Sequence, residues 1–427
     1  METPVVDNHP VLIFCPYLKL HRSHEFADFW IGPADQFEGS WDPPALKDAA
    51  RMLLGRFVTV DGKPVDRPSL IASNNRLVDG APPQHPDALE LAVAFGALIQ
   101  NPRHPADEND AWKVVTADNC DVWVQPVDLQ QNRITLERGL RVRTLAGGYK
   151  FSDDGFRVPP PLELHWHGGG AFDPEVADAV YRVVSAPDST KDPELAHRLK
   201  PAIRWWIKAW RNSASVSWED RLVHLRIAVD ALVGSDKTKT AIQWLNDLFS
   251  SVGEDSRGDL LWATDQGSYE RTWGRPPRTD VVSAFDHWFW SFADTRNDIV
   301  HRGGAAALVY EQDNSPYVGM HVDVADRVVA EAILVSLQRC GFEHLWRTPL
   351  WRAIARSFGD SNSSNAPTYT AHATPHADGW HVAVDDIDGL AIRVAALEQA
   401  EPLLSPLISE RVGVQVEPSQ VYVIPTV

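Results

Sequence analysis

Regularly spaced apolar residues between about 172 and 345 constrain this chain more than any other feature of its sequence. From Ser217 onward, apolar residues recur at intervals of four, three, four and three: Trp218, Leu222, Leu225, Val229 and Leu232. This spacing places one apolar stripe along a helix and is typical of the seam of a helical bundle. Ser217 with Asp220 predicts a capping box at the start of the helix, and Gly234 predicts its end.

The same block predicts further helices. Pro201 is expected at the first turn of a helix with apolar residues on one face. A shorter helix is expected from about Lys239 to Ser250, followed by a polar, glycine-rich connection over 251–278. Two more helices are expected, one starting near Asp280 and one over about Asp323 to Gln338. The inward residues of the helix starting near Asp280 are Val281, Phe285, Trp288, Phe289, Phe292 and Ile299. Four to five such helices favour an up-down bundle.

The flanking segments have different patterns, and 427 residues exceed the usual size of one domain. Residues 1–170 mix short alternating segments with proline and glycine breaks, which predicts a β-rich sensor domain with a few helices such as Pro86 to Leu98. The bundle is assigned to 171–345, a polar linker to 346–367, and a small αβ unit to 368–427. The predicted fold class is therefore multidomain α+β with a central all-α bundle.

Composition limits the class of protein. The net charge is −18, so a nucleic-acid site must be a local basic patch. Three widely spaced cysteines form neither a disulfide framework nor a thiolate metal cage, which favours a reducing cytoplasm. No apolar run is long enough for a membrane span, and no secretion signal is recognisable, so we expect a cytoplasmic protein without a membrane partner.

A basic stripe on the helix after Pro201 is the strongest local positive feature. It consists of Lys200, Arg204, Lys208 and Arg211, and the sequence between Glu194 and Glu219 contains no acidic residue. Two interpretations remain open. The stripe is either an ordinary solvated face or a surface that binds RNA phosphates.

The end of the helix that starts near Asp280 carries the residues with the clearest chemistry. Arg296 and Asn297 are followed by His301 and by two glycines, Gly303 and Gly304. Asn297 and His301 share a face, whereas Arg296 and His301 lie about 140° apart on a regular helix. The glycines are expected to loosen the last turn and to bring the imidazole beside the guanidinium.

An arginine and a histidine are suited to metal-free cleavage of RNA. The reaction needs a base for the 2′-OH proton, an acid for the leaving 5′-oxygen, and a cation that stabilises the charged phosphorus centre. One histidine and one arginine supply half of this acid-base set. A symmetric dimer supplies two of each in one cleft.

The arginine, polar residue and histidine on a late bundle helix resemble the HEPN superfamily, in particular its Apea-like branch. The resemblance covers roughly residues 172–345. It implies a metal-independent endoribonuclease without a cofactor, dimeric through the helix over 280–302. Position by position, it implies that Arg296 stabilises the phosphate, that Asn297 orients it, and that His301 is the acid-base group.

Two further positions bear on this resemblance. Asp230 on the second helix falls where relatives tend to have an acidic residue. Members regulated by nucleotidyltransferase antitoxins carry a tyrosine two places after the histidine, and this chain has Gly303 there. Regulation by that modification is therefore not expected.

The C-terminal 60 residues resemble the small HicB-type antitoxin fold. The resemblance rests on the strand segments Gly379–Val384 and Leu390–Val394, on a helix over about 396–410, and on a strand near Val421 to Val423. It implies a unit that restrains or dimerises the nuclease. A generic αβ packing module is the alternative.

Other site types are less well supported. Two sets of histidines are candidates for a zinc site, His165 with His167 and His372 with His376 and His381, but neither has the regular spacing of such a site. No phosphate-binding glycine loop, nucleophile elbow or dinucleotide fingerprint is present. No metal or cofactor is therefore expected.

Two functions follow from different classes of protein. The first is an RNA-cleaving toxin or antiphage effector, in which an antitoxin or a phage-derived trigger controls the bundle. The second is a non-catalytic sensor or scaffold that binds nucleic acid or a partner. A third interpretation leaves Arg296 and His301 as ordinary helix-terminal groups that pair with Asp294 or Asp298.

Overall fold

The computed structural model describes a mixed α+β chain. The described residues are 11–20, 22–39, 45–54, 57, 65, 68–73, 85–99, 116–126, 141–144, 147–150, 172–211, 216–250, 269–273, 277–302, 309–311, 318–342, 369–376, 379–384, 387, 389–395, 399–412 and 421–425. The chain forms two compact units. Unit 1 comprises Met1–Tyr310 and Gly319–Ala355, and unit 2 comprises Glu311–Val318 and Arg356–Val427.

The helices and strands are grouped unevenly along the chain, with four successive helices from Pro174 to Ser250. The helices are α1 Ala45–Leu54, α2 Pro86–Leu98, α3 Pro174–Ser185, α4 Pro193–Ala209, α5 Trp218–Val233, α6 Thr238–Ser250, α7 Ala284–Arg302, α8 His321–Arg339 and α9 Ala400–Val412. The strands are β1 Val11–Cys15, β2 His24–Phe26, β3 Phe29–Pro33, β4 Ser69–Ser73, β5 Trp123–Pro126, β6 Arg141–Thr144, β7 Gly147–Lys150, β8 Tyr269–Trp273, β9 Arg278–Val282, β10 Val309–Glu311, β11 Val318–Met320, β12 Tyr369–His376, β13 Gly379–Val384, β14 Ala391–Val394 and β15 Val421–Pro425. The described helices include none that is both long and apolar enough to span a bilayer.

A five-stranded antiparallel sheet is the largest sheet in the described part of unit 1. Its strand order is β2-β3-β4-β1-β5. Ile13 of β1 pairs with Ile71 of β4 on one side and with Val124 of β5 on the other. Consecutive residues of β1 from Leu12 to Cys15 are buried, so both faces of this strand are covered. A strand covered on both faces needs apolar residues at every position, which explains why β1 shows no alternation.

Helix α2 is buried on all sides and lies against the helical block. Phe95 packs edge-to-face on Trp206 of α4, with ring centroids 4.8 Å apart. The Asp173 N–H donates to the Gly96 carbonyl over 2.9 Å, just before α3 begins. A Cβ at Gly96 would lie 3.0 Å from the Ala177 Cβ, so glycine permits the close approach of α2 and α3.

Residues before and after position 170 therefore share a single core within unit 1. A second link joins the β2–β3 turn to α3, where the Ala27 N–H donates to Asp178 Oδ1 over 2.7 Å. We predicted a domain boundary between 1–170 and 171–345, and both ranges contribute to this one unit. The reason is that α2 is apolar along its length and buries that surface against α3 and α4, which follow position 170.

The helical block largely follows the predicted spacing. Ser217 and Asp220 form the expected capping box at the start of α5, and Gly234 ends the helix in the left-handed region with φ of 73°. The prediction for α4 is wrong at its start. The helix begins at Pro193, with the Asp192 side chain accepting from the Leu195 N–H, and Pro201 lies inside it. Burial of one face of α4 outweighs the single backbone hydrogen bond that Pro201 lacks.

The central block is not all-α, which corrects the predicted fold class in this detail. Strands β8 and β9 form an antiparallel hairpin in the segment expected to be a loop and a helix start. Val281 belongs to β9, where it pairs with Glu270, and α7 begins only at Ala284. Alternating residues before a helix do not reveal whether a partner strand is present.

The described part of unit 2 contains a four-stranded sheet and helix α9. The sheet order is β14-β13-β12-β15, in which β12 and β15 are parallel and the other pairs are antiparallel. Leu404 and Ile408 of α9 pack in the core with Val382 and Val421. Three of the strands and the helix were expected, whereas β12 was not. The predicted linker over 346–367 lies outside the described residues.

Candidate active site

Helix α7 carries the arginine and the histidine that the sequence singled out. Ser283 caps its start, because the serine hydroxyl accepts from the Asp286 N–H over 3.1 Å. The first half of α7 is anchored by aromatic residues, and Trp288 and Phe292 stack with ring centroids 5.3 Å apart. The helix continues to Arg302. The second half of α7, from Asp294 to Arg302, therefore extends from a rigid, buried base.

Arg296 is partly buried, and its guanidinium lies near α5. Its Nη1 donates to the side-chain oxygen of Asn297 over 3.1 Å. Its Nε is buried without a described hydrogen-bond partner. On α5, Arg296 is close enough to Arg226 and Asp230 to shift the pKa of both. The structure thus brings Arg296 and Asp230 near each other, although 66 positions separate them along the chain.

Arg226 belongs to this cluster, and the sequence analysis missed it. Its side chain is 4% exposed and its Nη2 lies 2.9 Å from Oδ1 of Asp230, one turn along α5. The same nitrogen donates to the Asp236 carbonyl over 3.2 Å. The guanidinium also lies 5.1 Å from the ring centroid of Phe289 on α7. The spacing of four between Arg226 and Asp230 was a usable signal for an ion pair.

The electrostatics of this cluster are dominated by burial. Burial raises the pKa of Asp230, while Arg226 and Arg296 lower it. Burial also lowers the pKa of Arg226, which Asp230 counteracts and Arg296 reinforces. Asp236 also acts on both Arg226 and Asp230, so two guanidinium groups face two carboxyl groups between α5 and α7. Nη1 of Arg226 is a further buried donor without a described partner. We call Arg226, Asp230 and Arg296 the arginine cluster.

His301 lies on a different side of α7 from Arg296. Asn297, Val300 and His301 are exposed, and Val300 retains 48% of its surface. Because α7 remains helical through Arg302, His301 lies about 140° around the axis from Arg296. The expected loosening of the last turn does not occur within α7, and its predicted cause, Gly303-Gly304, lies outside the described residues. One chain by itself therefore does not place the imidazole beside its own guanidinium.

Asp294 is engaged by another element. Its Oδ2 lies 3.9 Å from Nη2 of Arg271 on β8, and the Arg271 guanidinium lies 3.7 Å from the ring centroid of Trp290. Burial raises the pKa of Asp294, and Arg271 opposes this shift. The hairpin β8–β9 thereby supports the exposed half of α7.

The predicted basic stripe does not form one cationic face. Lys200 and Arg204 share the carboxylate of Asp87, at 3.5 and 3.6 Å from its Oδ2. Asp87 is at the start of α2, far from both in the sequence. Lys208 is exposed and lies over the ring of Trp205. Lys200 and Arg204 are therefore partly neutralised, and Lys208 remains available.

Arg211 must be removed from the predicted RNA-binding set. Its side chain is 8% exposed, and its two terminal nitrogens lie 2.9 Å from Asp118 and Asp121 respectively. Burial in a double ion pair prevents contact with a phosphate. The physical reason is that Ala117 pairs with the end of α4, where its N–H donates to the Trp210 carbonyl over 2.9 Å.

A buried carboxylate adjoins this ion pair. Glu90 of α2 is 7% exposed and its Oε1 has no described hydrogen-bond partner. Burial raises the pKa of Glu90 to about 8, with Asp121 raising it further and Arg211 lowering it. Burial raises the pKa of Asp121 to about 6 against the effect of Arg211. Glu90, Asp118, Asp121 and Arg211 are called the acid cluster below.

The histidines considered for zinc are only partly described. His165 and His167 lie outside the described residues. In the β12–β13 hairpin the rings of His376 and His381 are 5.9 Å apart and perpendicular. Among the described residues, no group of three or more histidine, cysteine or acidic side chains has an arrangement that would hold a metal ion.

Comparisons with known proteins give no relative for this chain. No protein-family model matches it, and neither a curated protein nor a solved structure does.

Proposed function

We propose that the chain is a metal-independent endoribonuclease of the HEPN type, which acts as a toxin or an antiphage effector. In this proposal α3 to α8 correspond to the HEPN-like bundle and unit 2 corresponds to the HicB-like module. The observation that carries the proposal is the arginine cluster, in which Arg296 lies near Arg226 and Asp230 with its Nε unpartnered, on the helix that also exposes His301.

The guanidinium groups of the arginine cluster and the imidazole of His301 have complementary roles in this reaction. The unpartnered guanidinium nitrogens of the arginine cluster are suited to donate to a phosphodiester and to the negative charge that develops on its oxygens. The exposed imidazole of His301 is suited to remove the 2′-OH proton or to protonate the leaving 5′-oxygen. The attacking 2′-oxygen forms the new P–O bond, the bond to the 5′-oxygen breaks, and the product ends in a 2′,3′-cyclic phosphate.

The angular separation of Arg296 and His301 supports a composite site made by two chains. Asn297, Val300 and His301 form an exposed face of α7, and Val300 is an apolar residue without cover in one chain. A second copy packed on this face would bury Val300 and bring each imidazole toward its partner. The proposed dimer therefore uses α7, which begins at Ala284 rather than near Asp280.

The test is a cleavage assay in EDTA with labelled single-stranded RNA. We expect the wild type to release products with 2′,3′-cyclic phosphate ends, and both Arg296→Ala and His301→Ala to lose at least 100-fold in rate. Lys239→Ala, an exposed cation on α6, is the matched control and keeps the wild-type rate. Cleavage that requires added metal, or that survives in both site variants, contradicts the proposal.

A non-catalytic HEPN-type sensor or scaffold is the second candidate function. The hydrogen bond from Arg296 Nη1 to Asn297 favours it, because this contact engages the arginine within its own helix. A scaffold retains intact RNA or a protein partner in the same assay and releases no cyclic phosphate.

A further inference from the structure

Helices α4 and α5 assemble a row of aromatic and basic side chains that the sequence does not place together. Lys208 Nζ lies 4.3 Å from the ring centroid of Trp205, and His224 of α5 packs against the same indole at 5.3 Å. The Arg221 guanidinium lies 4.7 Å from the ring centroid of Trp218. We call these five residues the indole surface.

The two helices run antiparallel here, so the indole surface is continuous. Arg221 also lies 5.2 Å from the ring centroid of buried Trp210, which fixes the end of α4 against the start of α5. Trp218, Arg221 and His224 follow one another at intervals of three along α5. Each member therefore adjoins the next at about 60° around the axis, and the row winds around α5 so that Trp218 and His224 are about 120° apart.

Aromatic rings hold the cations of this surface. Lys208 and Arg221 form no ion pair with any residue in the described part of the chain, in contrast to Lys200 and Arg204. A ring face orients a cation but does not cancel its charge. Glu219 and Asp220 lie between Trp218 and Arg221 in the sequence, and the Asp220 carboxylate accepts from the N–H and hydroxyl of Ser217.

We propose that the indole surface binds single-stranded nucleic acid, with bases stacked on its indoles and phosphates paired with Lys208 and Arg221. Trp205 and Trp218 are half-buried, so each ring is held firmly and still reaches solvent. Lys208 is exposed and leaves the Trp205 ring at a small cost when a base replaces it. Stacking on aromatic rings beside cations is how proteins bind unpaired strands.

The indole surface and the arginine cluster are separate sites on α5. Arg221 and Asp230 are nine residues apart, which is about 14 Å along the helix axis and about half a turn around it. This inference rests on the proposed function only for the choice of RNA as the strand, because binding does not require cleavage.

The test measures binding with the full chain carrying His301→Ala, so that RNA stays intact. Fluorescein-labelled 12-nucleotide strands are titrated in an anisotropy assay, as RNA, as DNA of the same sequence and as an abasic strand. We expect Trp205→Leu to weaken binding of the RNA roughly 5- to 100-fold, and Trp205→Phe to restore most of it. Abasic strands bind as weakly to the parent as RNA does to Trp205→Leu.

Lys208→Ala reports on charge without disturbing the core. It is expected to reduce the slope of log K against log salt by about 0.7, whereas Lys239→Ala leaves the slope unchanged. Equal binding of the abasic strand, or wild-type binding by both Trp205→Leu and Lys208→Ala, overturns the proposal. So does the absence of RNA binding by the parent.

The two proposals fail in distinguishable ways. Suppose that RNA binding depends on Trp205 and Lys208 but the wild type never cleaves the RNA. This outcome supports the proposed role of the indole surface and contradicts the proposed nuclease activity. Cleavage at the wild-type rate and KM in Trp205→Leu and Lys208→Ala supports the nuclease and contradicts the indole surface. Tighter binding of DNA than of RNA keeps the surface and excludes RNA as its preferred strand.

Discussion

Nη2 of Arg211 lies 2.9 Å from Oδ1 of Asp121, although ninety residues separate them along the chain. This ion pair joins the end of α4 to the segment that leads into β5. It converts a residue that the sequence presents as part of a basic stripe into a buried structural group. The acid cluster around it holds three carboxyl groups against one guanidinium, and that imbalance leads to two predictions.

Loss of the guanidinium should destabilise unit 1. Arg211→Met leaves Asp118 and Asp121 without their cation, next to Glu90, and we expect a loss of about 3–5 kcal/mol in the free energy of unfolding. Urea denaturation measures it. Lys208→Met is the matched control, because that lysine is exposed, and should change stability by less than about 0.5 kcal/mol. A similar small change in both variants would show that the acid cluster does not stabilise the fold.

Glu90 should make stability depend on pH. Its pKa in the folded chain is about 8 against an ordinary value of 4.5, so the folded state binds the proton more tightly. The contribution of Glu90 to the free energy of unfolding is therefore fully present below pH 4.5. It is lost as the pH rises toward 8, by on the order of 3 kcal/mol between pH 5 and 8.

Glu90→Gln should remove most of this pH dependence, because the amide does not ionise. Melting temperatures from pH 5 to 9 compare the two proteins. Asp121, with a pKa of about 6, leaves a residual fall in the same direction at the acidic end. A wild-type melting temperature that rises over this range contradicts the assignment.

Glu331 should be replaceable with a gain in stability. Its side chain on α8 is fully buried, neither oxygen has a described hydrogen-bond partner, and burial raises its pKa well above the usual range. Glu331→Leu is expected to stabilise the chain by about 1–3 kcal/mol, because an unpaired polar group leaves the core. Glu331→Gln keeps the polar group and should give less than half of that gain. Destabilisation by the leucine would indicate a functional partner for the carboxyl group.

Asp230 and Arg296 should be energetically coupled. In a double-mutant cycle with Asp230→Asn and Arg296→Gln, the two effects on unfolding free energy are expected to be non-additive by about 0.5–1 kcal/mol. Asp220→Asn with Arg296→Gln is the control cycle, since Asp220 is at the other end of α5. Additivity in the first cycle would show that α5 and α7 do not form the arginine cluster in solution.

Val300 tests the composite site directly. Light scattering should give the mass of two chains for the wild type and of one chain for Val300→Asp, because a carboxylate in the centre of an apolar contact is strongly unfavourable. The melting temperature of the monomeric variant should stay close to that of the wild type at low concentration. A monomeric wild type at micromolar concentration, with cleavage intact, would contradict the two-chain site.

Local sequence patterns were sufficient to predict features that depend only on residues within one helix or one turn. The capping box of Ser217 and the glycine stop at Gly234 were predicted correctly, because they depend on neighbours within a turn. Helix α2 was also predicted with its bounds. The hairpin β8–β9 and strand β12 were missed, since a strand exists only through a partner elsewhere in the chain.

In the candidate site, too, some features follow from the sequence and others only from the tertiary structure. The sequence determined that Arg296, Asn297 and His301 lie on one helix, because that follows from spacing alone. Only the tertiary structure decided that Arg296 turns toward Arg226 and Asp230 while His301 faces solvent, and that Asp87, Asp118 and Asp121 neutralise most of the basic stripe. The physical reason is that electrostatic interactions depend on distance in space, and packing two helices together brings charges within reach that no sequence interval records.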